Sequence, residues 1–312
     1  MPERIVITGG TGFVGRALVK RLAPNREITV LTRGDTLPDD LRELDSVRAV
    51  SWDAASAGDW EHALDGADAV VHLAGSQAVG VRHTQAVKQR LHDSRVKSGE
   101  ALVAAIGRAK RRPAVLVSAS GVDYYRGRLT DEPVDESEPP GESFLARLCV
   151  VWEGAVRAAE PLGVRVVSMR LGVVVGPNGP LMTMALPFKF FVGGPLGSGR
   201  QIFSWVHLDD ALAAFELALG DATLSGAVNV VAPEALPQAE FARRIGRALR
   251  RPSFVPAPAF ALRALFGEGA EPILFGRRVV PKRLEALGFR FAFPTVDAAL
   301  ADALGGPPPE RL

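Results

Sequence analysis

The sequence predicts an α/β fold, in which a doubly wound parallel sheet carries helices on both faces and is followed by a smaller carboxyl-terminal lobe. Short apolar runs alternate with helical patterns through the first half of the 312 residues, and a glycine-rich turn joins the first run to the first helical pattern. This alternation is typical of βαβ units, whose strands are parallel. Because the apolar runs are continuous, we expect both faces of the sheet to be buried.

The elements alternate regularly up to residue 175. Strands are predicted at residues 4–8, 27–32, 47–52, 69–73, 114–118 and 164–170. Helices are predicted at residues 13–22, 59–64, 84–108 and 144–159. In the first helix, Phe13, Val14, Leu18 and Leu22 recur at the spacing that places apolar side chains on one helical face.

Beyond Gly176 the alternation ends. Residues 177–199 are rich in Gly and Pro and are predicted to be irregular. Further helices are predicted at 209–219 (with an acidic cap), 238–250, 260–266 and 281–287, and a short strand at 228–230. We therefore divide the chain into a nucleotide-binding domain (1–175, with 205–232), a smaller lobe (176–204 and 233–303) and a disordered tail (304–312).

Composition excludes several function classes. Hydrophobic residues make up 47% and charged residues 23%, as in ordinary soluble proteins, and the net charge of +2 is too small for a nucleic-acid surface. Cys149 is the only cysteine, so no internal disulfide can form and zinc-type Cys/His spacing is absent. No apolar stretch is long enough to span a bilayer. We expect a cytoplasmic protein with no nucleic-acid or membrane partner.

The glycine-rich turn carries the most specific motif. Its residues are Gly9, Gly10, Thr11, Gly12, Phe13, Val14 and Gly15. They contain G-x-G-x-x-G between a first strand and a first helix, which is the context of a Rossmann dinucleotide-binding turn. The glycines allow the backbone to approach a pyrophosphate, and the helix presents free N–H groups to it. The alternative is a glycine-rich turn that binds nothing.

The end of the second predicted strand indicates which cofactor would bind. NAD binding usually requires an acidic residue there, which accepts a hydrogen bond from the ribose 2′-hydroxyl. This strand ends instead with Thr32 and Arg33. A guanidinium group suits a 2′-phosphate, so we predict NADP(H). Arg33 as a solvated surface charge is the alternative, and Asp35 would overturn the prediction if it pointed inward.

Later strand ends supply further cofactor contacts, because ligands of open α/β sheets bind at the carboxyl ends of the strands. Asp53 follows the third strand, where it either accepts from the adenine amino group or serves as a turn residue. Leu73, Ala74 and Gly75 end the fourth strand, and the small residues permit close approach of the adenosine half.

Several segments resemble the extended short-chain dehydrogenase/reductases, the superfamily of sugar-nucleotide epimerases and dehydratases. The segments are ITGGTGFVG, HLAG, KQRLHDSR, VSASGVDYY, FLARLCVVWE, RLGVVVGP, GGPLGSGRQIFSWVH and PKRLEALGFRF, between residues 4 and 291. The chain is most similar to the NAD(P)-dependent epimerase-family branch that has a carboxyl-terminal domain of unknown function. That branch is sometimes labelled cell-division-inhibitor-like.

The catalytic pair that this resemblance implies is missing. The superfamily uses a Tyr and a Lys four residues later, and the Lys lowers the pKa of the Tyr. This chain has only Tyr124 and Tyr125, and neither is followed by a Lys at that spacing. Alignment on the following helix places Leu145 and Cys149 at the family's Tyr and Lys positions. An Asp-Glu pair typical of the dehydratases is also absent after Ser120.

Other residues are therefore candidates for proton transfer. Ser120 matches the superfamily's catalytic Ser/Thr, or is a turn residue at a strand end. Tyr124 and Tyr125 offer phenols, but with no cation evident nearby their pKa is expected near the ordinary value of about 10. His207 is a candidate general acid, or a structural histidine.

The resemblance also implies contacts to the nicotinamide and phosphate portions of the cofactor. Ser118 lies near the end of the fifth strand, and Arg95 stands where the superfamily usually has Asn, so that it could reach a phosphate or a substrate anion. Gly172, Val173 and Val174 follow the sixth strand, where the superfamily packs the nicotinamide.

Two functions follow from this pattern. One is an NADP(H)-dependent oxidoreductase or epimerase with a rebuilt active site, acting on a small molecule that the sequence does not identify. The other is a non-catalytic protein that senses NADP(H) and regulates a partner. A homodimer is the assembly that the resemblance implies.

Overall fold

The computed structural model of the chain describes residues 2–34 and 36–305. Its strands, in chain order, are β1 Arg4–Thr8, β2 Glu27–Thr32, β3 Val47–Ser51, β4 Ala69–His72, β5 Val115–Gly121, β6 Pro133–Val134, β7 Arg165–Leu171, β8 Val173–Val175, β9 Ile202–Phe203, β10 Trp205–His207, β11 Gly226–Val230, β12 Leu236–Pro237 and β13 Arg278–Val279.

Seven of these strands form one parallel sheet, in the order β11-β7-β5-β4-β1-β2-β3. In its register Thr8 lies opposite Leu31 and His72, so the carboxyl ends of three neighbouring strands meet at one edge. The predicted doubly wound parallel sheet is confirmed. The first two strands have the predicted limits, and the ends of the others differ by up to three residues, as expected where pairing rather than local sequence decides the limit.

The helices, in chain order, are α1 Phe13–Leu22, α2 Asp39–Arg42, α3 Gln85–His92, α4 Ser98–Arg108, α5 Phe144–Arg157, α6 Pro180–Lys189, α7 Leu208–Gly220, α8 Gln238–Leu249, α9 Ala259–Phe266, α10 Glu271–Leu274, α11 Lys282–Ala286 and α12 Val296–Leu304. The helix predicted at 84–108 consists of α3 and α4 joined by a π-helical turn, Asp93–Lys97. Such turns are rare and occur frequently at functional sites.

Helices bury one apolar face on each side of the sheet. On one side Leu18 of α1 and Phe215 of α7 pack on inward-facing strand residues such as Val71. On the other side Ile106 of α4 and Val156 of α5 do the same. Each such side chain contributes about 1.5–3 kcal/mol through removal of its apolar surface from water. These two layers fix the position of the sheet's carboxyl edge.

The smaller lobe has its own core, in which α6, α8 and α12 surround buried Trp205. The prediction that residues 177–199 are irregular is wrong for Pro180–Lys189, which form α6. Pro180 stands at the start of this helix, where its missing N–H and fixed φ are tolerated. The acidic cap predicted for the helix at 209–219 is also wrong, since the His207 side chain is the cap.

Leu304 ends α12 and Gly305 follows it in the left-handed conformation, at φ +68°. Helical structure therefore continues into the segment assigned to the tail, and the rest of that segment, 306–312, lies outside the described residues. Within residues 2–34 and 36–305, no helix is long and apolar enough to cross a membrane. The same residues contain no cluster of three or more His, Cys, Asp or Glu that could hold a metal ion.

Candidate functional site

The glycine-rich turn between β1 and α1 depends on glycine at two tightly packed positions. Gly9 has φ +69°, and a Cβ there would lie 2.6 Å from the carbonyl carbon of Leu73. A Cβ at Gly15 would lie 2.1 Å from the carbonyl oxygen of Gly9. Gly12 N donates to that oxygen at 3.0 Å, which closes the turn. Both glycines are needed because the turn packs directly on α1 and on the end of β4.

The same turn is open on its other side. Thr11 and Gly12 are exposed, and a Cβ at Gly12 would meet only the Gly9 carbonyl oxygen, at 3.3 Å. Helix α1 begins at Phe13 with no side-chain cap and no acidic residue in its first turn. Its first N–H groups therefore lack intrahelical partners and carry the positive end of the helix dipole. This is the geometry of an anion site, and it fits a dinucleotide pyrophosphate.

Arg33 lies beyond the end of β2 and is exposed. Within residues 2–34 and 36–305 it takes part in no hydrogen bond or ion pair, so its guanidinium group is available for a ligand. Asp35, which could have changed the cofactor prediction, lies outside the described residues.

Asp53 has the environment of a turn residue. Its Oδ1 accepts from the backbone N–H groups of Ala55 and Ser56, both at 2.9 Å, and its Oδ2 accepts from the Ser56 hydroxyl. The Ser56 side-chain and backbone hydrogen bonds lower the pKa of Asp53 to about 2. The carboxylate therefore holds the loop after β3, and any contact with adenine would be additional to that task.

A buried histidine positions Leu73, Ala74 and Gly75. Thr8 Oγ1 lies 2.8 Å from His72 Nδ1 and 3.3 Å from Ala74 N, and His72 Nε2 lies 3.3 Å from Ser98 Oγ. Burial lowers the pKa of His72 to about 4, so the ring is neutral at physiological pH. Because the Ser98 hydroxyl donates to Ser94 O at 2.9 Å, its oxygen accepts from Nε2–H, which places the ring proton on Nε2 and leaves Nδ1 to accept from the Thr8 hydroxyl. This series of hydrogen bonds holds the end of β4 beside the glycine turn.

Arg95 lies in the π-helical turn and faces the end of β4. Its Nη2 donates to Ser76 O at 2.9 Å, and its guanidinium carbon lies 5.0 Å from the Trp152 ring centroid. The guanidinium carbon would be 3.2 Å from a Cβ at Gly75, so the glycine makes room for it. Burial lowers the pKa of Arg95 below its ordinary value. Among the described residues no carboxylate forms an ion pair with it.

Cys149 is not a reactive thiol in this environment. It is buried, and burial raises its pKa to about 12, so the thiolate is not populated near neutral pH. Its Sγ lies 3.9 Å from Gly121 O.

A buried polar network connects α5, β5 and β7. Arg170 Nε donates to Glu153 Oε1 at 2.8 Å, and Nη2 donates to Oε2 at 2.9 Å. Ser120 Oγ donates to the same Oε1 at 2.7 Å. Tyr125 accepts from Arg170 Nη1 at 2.8 Å and donates to Asn229 Oδ1 at 2.7 Å. The hydroxyl protons of Ser120 and Tyr125 are both engaged within the protein.

The expectation that no cation lies near the two tyrosines is wrong. The Arg170 guanidinium carbon lies 3.4 Å from the Tyr124 ring centroid and 5.1 Å from that of Tyr125. Burial nevertheless raises the pKa of Tyr125 to about 12, against the lowering effect of Arg170. Burial alone would lower the pKa of Arg170, but the hydrogen bonds and charge of Glu153 hold it above its ordinary value. Tyr124 is half-buried, and its hydroxyl makes no hydrogen bond with any described residue.

Sequence reasoning missed Glu153, Arg170 and Asn229. One signal could have revealed Glu153 and Arg170. Glu153 lies on the apolar face of α5, and Arg170 lies near the end of an otherwise apolar strand. Charged residues are almost never fully buried unless they are paired.

Backbone packing explains the glycine near the predicted nicotinamide face. A Cβ at Gly172 would lie 2.9 Å from Ser204 O, so glycine is required where β8 meets β10. This packing is a reason for glycine that is separate from the predicted contact with the nicotinamide ring. Val173 is half-buried and Val174 buried, on the strand that follows. Ser118 is buried in β5, and its Oγ donates to Ala119 O at 3.0 Å.

His207 has a structural environment. Its Nδ1 accepts from Asp209 N at 3.2 Å, which caps α7, and its ring lies 3.7 Å from that of Phe293. Nε2 is buried and lies 3.2 Å from Asp302 Oδ2, without hydrogen-bond geometry. Burial lowers the pKa of His207, opposed by nearby carboxylates such as Asp209 and Asp302. The structure places it on β10, outside the network of Ser120 and the tyrosines.

A narrow cleft lies between residues of the sheet domain and residues of the smaller lobe. Its walls include Leu145, which the sequence resemblance aligns with the family's Tyr, with Phe144 beside it and Asp123 two residues after β5. Opposite them Arg277 donates through Nη1 to Asp123 Oδ1 at 2.8 Å. The cleft is therefore next to the segment that carries Ser120 and Tyr124.

Comparison with protein families agrees with this geometry. The family described as NAD dependent epimerase/dehydratase matches residues 5–231. The chain belongs to this family. A domain of unknown function, DUF1731, matches residues 257–303, within the smaller lobe. The resemblance stated from the sequence motifs is confirmed.

Similar proteins occur in several organisms. An epimerase family protein of Mycobacterium bovis is 40% identical over 307 residues, covering 97% of this chain and 98% of the relative. The chloroplastic SDR39U1 homolog of Arabidopsis thaliana is 39% identical over 300 residues, covering 95% and 85%. The crystal structure of human epimerase family protein SDR39U1 with NADPH has a TM-score of 0.84 and 34% identity, and covers 97% of this chain and 99% of that one.

Proposed function

We propose that this family member binds NADP(H) across the carboxyl edge of its sheet. The open anion site at the start of α1 carries the proposal, because Gly9 and Gly15 close the turn while Gly12 leaves one face free. The human relative crystallised with NADPH supports it. The residues that would hold the cofactor are Gly9, Gly10, Thr11, Gly12, Phe13, Val14, Gly15, Thr32, Arg33, Asp53, Leu73, Ala74, Gly75, Arg95, Ser118, Gly172, Val173 and Val174.

Arg33 would select the phosphorylated cofactor. Its exposed guanidinium group follows β2, where the 2′ position of the adenosine ribose is bound in such folds. A 2′-phosphate adds negative charge and acceptor oxygens that NADH lacks, and guanidinium binds phosphate oxygens in a fork. We therefore expect preference for NADPH over NADH.

The second part of the proposal is that the protein is an oxidoreductase or epimerase acting on a small molecule in the cleft beside Leu145. Bound NADP(H) would supply hydride-transfer chemistry at that edge of the sheet. Tyr124 is the phenol available for proton exchange, since the Tyr125 hydroxyl is engaged by Arg170 and Asn229. We leave His207 out of the proton transfer because its ring is committed to the cap of α7.

Ser120 would bind the substrate as an acceptor. Its proton is donated to Glu153 at 2.7 Å, so its oxygen lone pairs are left to accept from a polar group that reaches it. A hydroxyl group of the substrate can donate to those lone pairs, whereas a carbonyl oxygen would require Ser120 to rotate away from Glu153. The alcohol form of the substrate is therefore the form that the resting site recognises.

Arg95 would supply the positive charge that the missing Lys supplies in related enzymes. Its charge acts on Cys149, which occupies the expected Lys position, and on Asp123 beside the cleft. Because no described carboxylate forms an ion pair with it, it can attract a phosphate or an anionic substrate group.

A non-catalytic NADP(H) sensor is the second candidate function. It is favoured by the engagement of both Ser120 and Tyr125 inside the protein and by the buried, unreactive Cys149. Under this alternative the polar network is only structural. The domain limits, the homodimer, the cytoplasmic location and the absence of a nucleic-acid partner stay predictions from the sequence.

Calorimetric titration with NADPH and with NADH tests the cofactor proposal. Wild type should bind NADPH more tightly, and Arg33→Ala should lose at least about tenfold in NADPH affinity, as expected for one charge-assisted phosphate contact. Its NADH affinity should not change. Arg290→Ala, a change at another exposed arginine, is the matched control. Equal weakening of both cofactors in Arg33→Ala, or no binding of either by wild type, would contradict the proposal.

Substitution at Ser120 separates enzyme from sensor. If the protein oxidises NADPH with a small carbonyl compound, Ser120→Ala should reduce the rate while leaving NADPH affinity nearly unchanged. A sensor shows no turnover with any compound of a carbonyl and alcohol panel, yet binds NADPH. Activity that is indifferent to Ser120→Ala would exclude the role assigned to this hydroxyl.

A further inference from the structure

Several large apolar side chains are exposed together on the smaller lobe. Phe190 and Phe191 follow α6 and are 70% and 56% exposed, and Phe254 is 75% exposed. Val255 N donates to Gly193 O at 3.1 Å, which brings the two segments side by side. We call this region the basic aromatic surface, defined by Lys189, Phe190, Phe191, Arg250, Arg251 and Phe254.

The exposure of these rings is not explained by the fold. A monomer rarely leaves neighbouring aromatic side chains in water without a function for them. Phe191 also has φ +62°, a conformation that a bulky residue rarely adopts, and this conformation leaves its ring more than half exposed. Arg251 lies over that ring, with its guanidinium carbon 4.7 Å from the centroid. A partner that binds here must accept both aromatic rings and cations.

The charge of this region has one sign. Residues 176–207 and 241–267 contain eight of the 37 Lys and Arg and none of the 35 Asp and Glu, so the rest of the chain has a net charge of −6. Arg243 and Arg244 form ion pairs with Glu240, so they do not belong to the basic aromatic surface. Lys189, Arg250 and Arg251 are exposed on the basic aromatic surface and form no ion pair with any described residue.

We propose that the basic aromatic surface docks on the face of an anionic lipid bilayer. The three Phe rings would enter the boundary between headgroups and acyl chains, and the three cations would contact lipid phosphates. A second copy of the chain is disfavoured, because a two-fold contact through this surface would oppose like charges. The sequence prediction of no membrane partner rested on the absence of a spanning segment, which a peripheral contact does not need.

Cosedimentation of the full chain with lipid vesicles tests this. Vesicles of phosphatidylcholine alone are compared with vesicles containing 30% phosphatidylglycerol, at low and high salt. Three surface cations predict a preference for the anionic vesicles on the order of a hundredfold, which weakens as salt increases. Equal or undetectable binding to the two kinds of vesicle would overturn the proposal.

Two separate variants locate the contact. The double variant Phe190→Ser/Phe254→Ser removes two of the aromatic rings that would enter the bilayer. The double variant Lys189→Glu/Arg251→Glu replaces two cations of the surface by carboxylates. Each should reduce binding to the anionic vesicles at least about tenfold. Leu129→Ser with Arg290→Glu is the matched control at exposed positions outside this surface. NADPH affinity and thermal midpoint should equal those of wild type, which shows that the variants are folded.

Other outcomes overturn the proposal. Binding that both variants retain would place the lipid contact elsewhere. A change of oligomeric state in either variant, measured by analytical ultracentrifugation without lipid, would mean that the surface joins two copies of the chain. The proposal is independent of the proposed enzyme activity, so neither result bears on the cofactor titrations.

Discussion

Replacing Glu153 by leucine tests whether the buried network is held together by one carboxylate. Glu153 accepts three hydrogen bonds, one from Ser120 and two from Arg170. Its side chain is 2% exposed and that of Arg170 is 4% exposed. Leucine has a similar volume, so the change leaves no large cavity. It leaves the Arg170 guanidinium charged and buried, with only the Tyr125 hydroxyl as a hydrogen-bond partner.

The cost follows from that unpaired charge. Removing one member of a buried ion pair costs about 3–5 kcal/mol, because the remaining charge keeps its desolvation penalty and loses its compensation. The released Ser120 hydroxyl adds about 1 kcal/mol if it finds no other acceptor. We therefore expect Glu153→Leu to lower the free energy of unfolding by about 4–6 kcal/mol. Glu43→Leu, at an exposed position, should change it by less than about 0.5 kcal/mol.

Urea unfolding of a double-mutant cycle measures the pair itself. Arg170→Met in the Glu153→Leu background removes the orphaned charge, so the double variant should be more stable than Glu153→Leu alone. The coupling free energy should be about 2 kcal/mol or more. A double variant no more stable than the worse single variant, with unchanged denaturant dependence, would refute the reasoning that charge compensation dominates this network.

Three further predictions concern other parts of the site. Gly15→Ala should abolish NADPH binding in calorimetry, because a Cβ there would lie 2.1 Å from a carbonyl oxygen of the turn, whereas Gly154→Ala, with no atom within 4 Å, should bind normally. Burial lowers the pKa of His72 to about 4 from an ordinary 6.5, so the folded protein keeps this ring neutral at pH values where the unfolded chain protonates it. The free energy that the neutral ring contributes to folding is therefore present above pH 6.5 and is lost as the pH falls toward 4. Between pH 7 and pH 5 wild type should lose about 2 kcal/mol more unfolding free energy than His72→Gln in urea titrations, and equal losses would contradict this. Tyr124→Phe should reduce NADPH-dependent turnover by at least about a hundredfold without loss of stability. Tyr125→Phe should instead lower the free energy of unfolding by about 1–3 kcal/mol. The reverse pattern would mean that Tyr125 exchanges the proton and Tyr124 stabilises the network.

The sequence predicted those features that depend on local pattern. Residues 9–15 identified the dinucleotide turn because its glycines are neighbours in the chain. The six strands of the main sheet before Gly176 were predicted because their apolar runs are continuous, whereas the short β6 and β8 were not predicted. Helix α6 was missed because Gly and Pro dominate its surroundings, although Pro180 at a helix start does not oppose helix formation. The acidic cap was misassigned because capping by His207 depends on the direction of one side chain.

The buried network could not be predicted in the same way, since its members come from distant parts of the chain. Ser120 and Glu153 are 33 residues apart, and Tyr125 and Asn229 are 104 residues apart. Only the parallel pairing of β5, β7 and β11 brings them to one place. Sequence reasoning therefore gave Ser120 as a catalytic hydroxyl or a turn residue and placed no cation near the tyrosines, whereas the structure shows Ser120 bonded to Glu153 and Arg170 beside both tyrosines.

Charge neutralisation distinguishes Arg95 from Arg170. Glu153 neutralises Arg170 through two hydrogen bonds, so Arg170 organises Tyr124 and Tyr125 without attracting an anion strongly. Arg95 is held only by neutral groups among the described residues, namely carbonyl oxygens, the Ser94 hydroxyl and the Trp152 ring. An anion that binds near both groups therefore gains more from Arg95. Since Leu145 and Cys149 carry no charge and Arg277 in the cleft wall is paired with Asp123, the affinity of this site for negatively charged groups depends mainly on the guanidinium of Arg95.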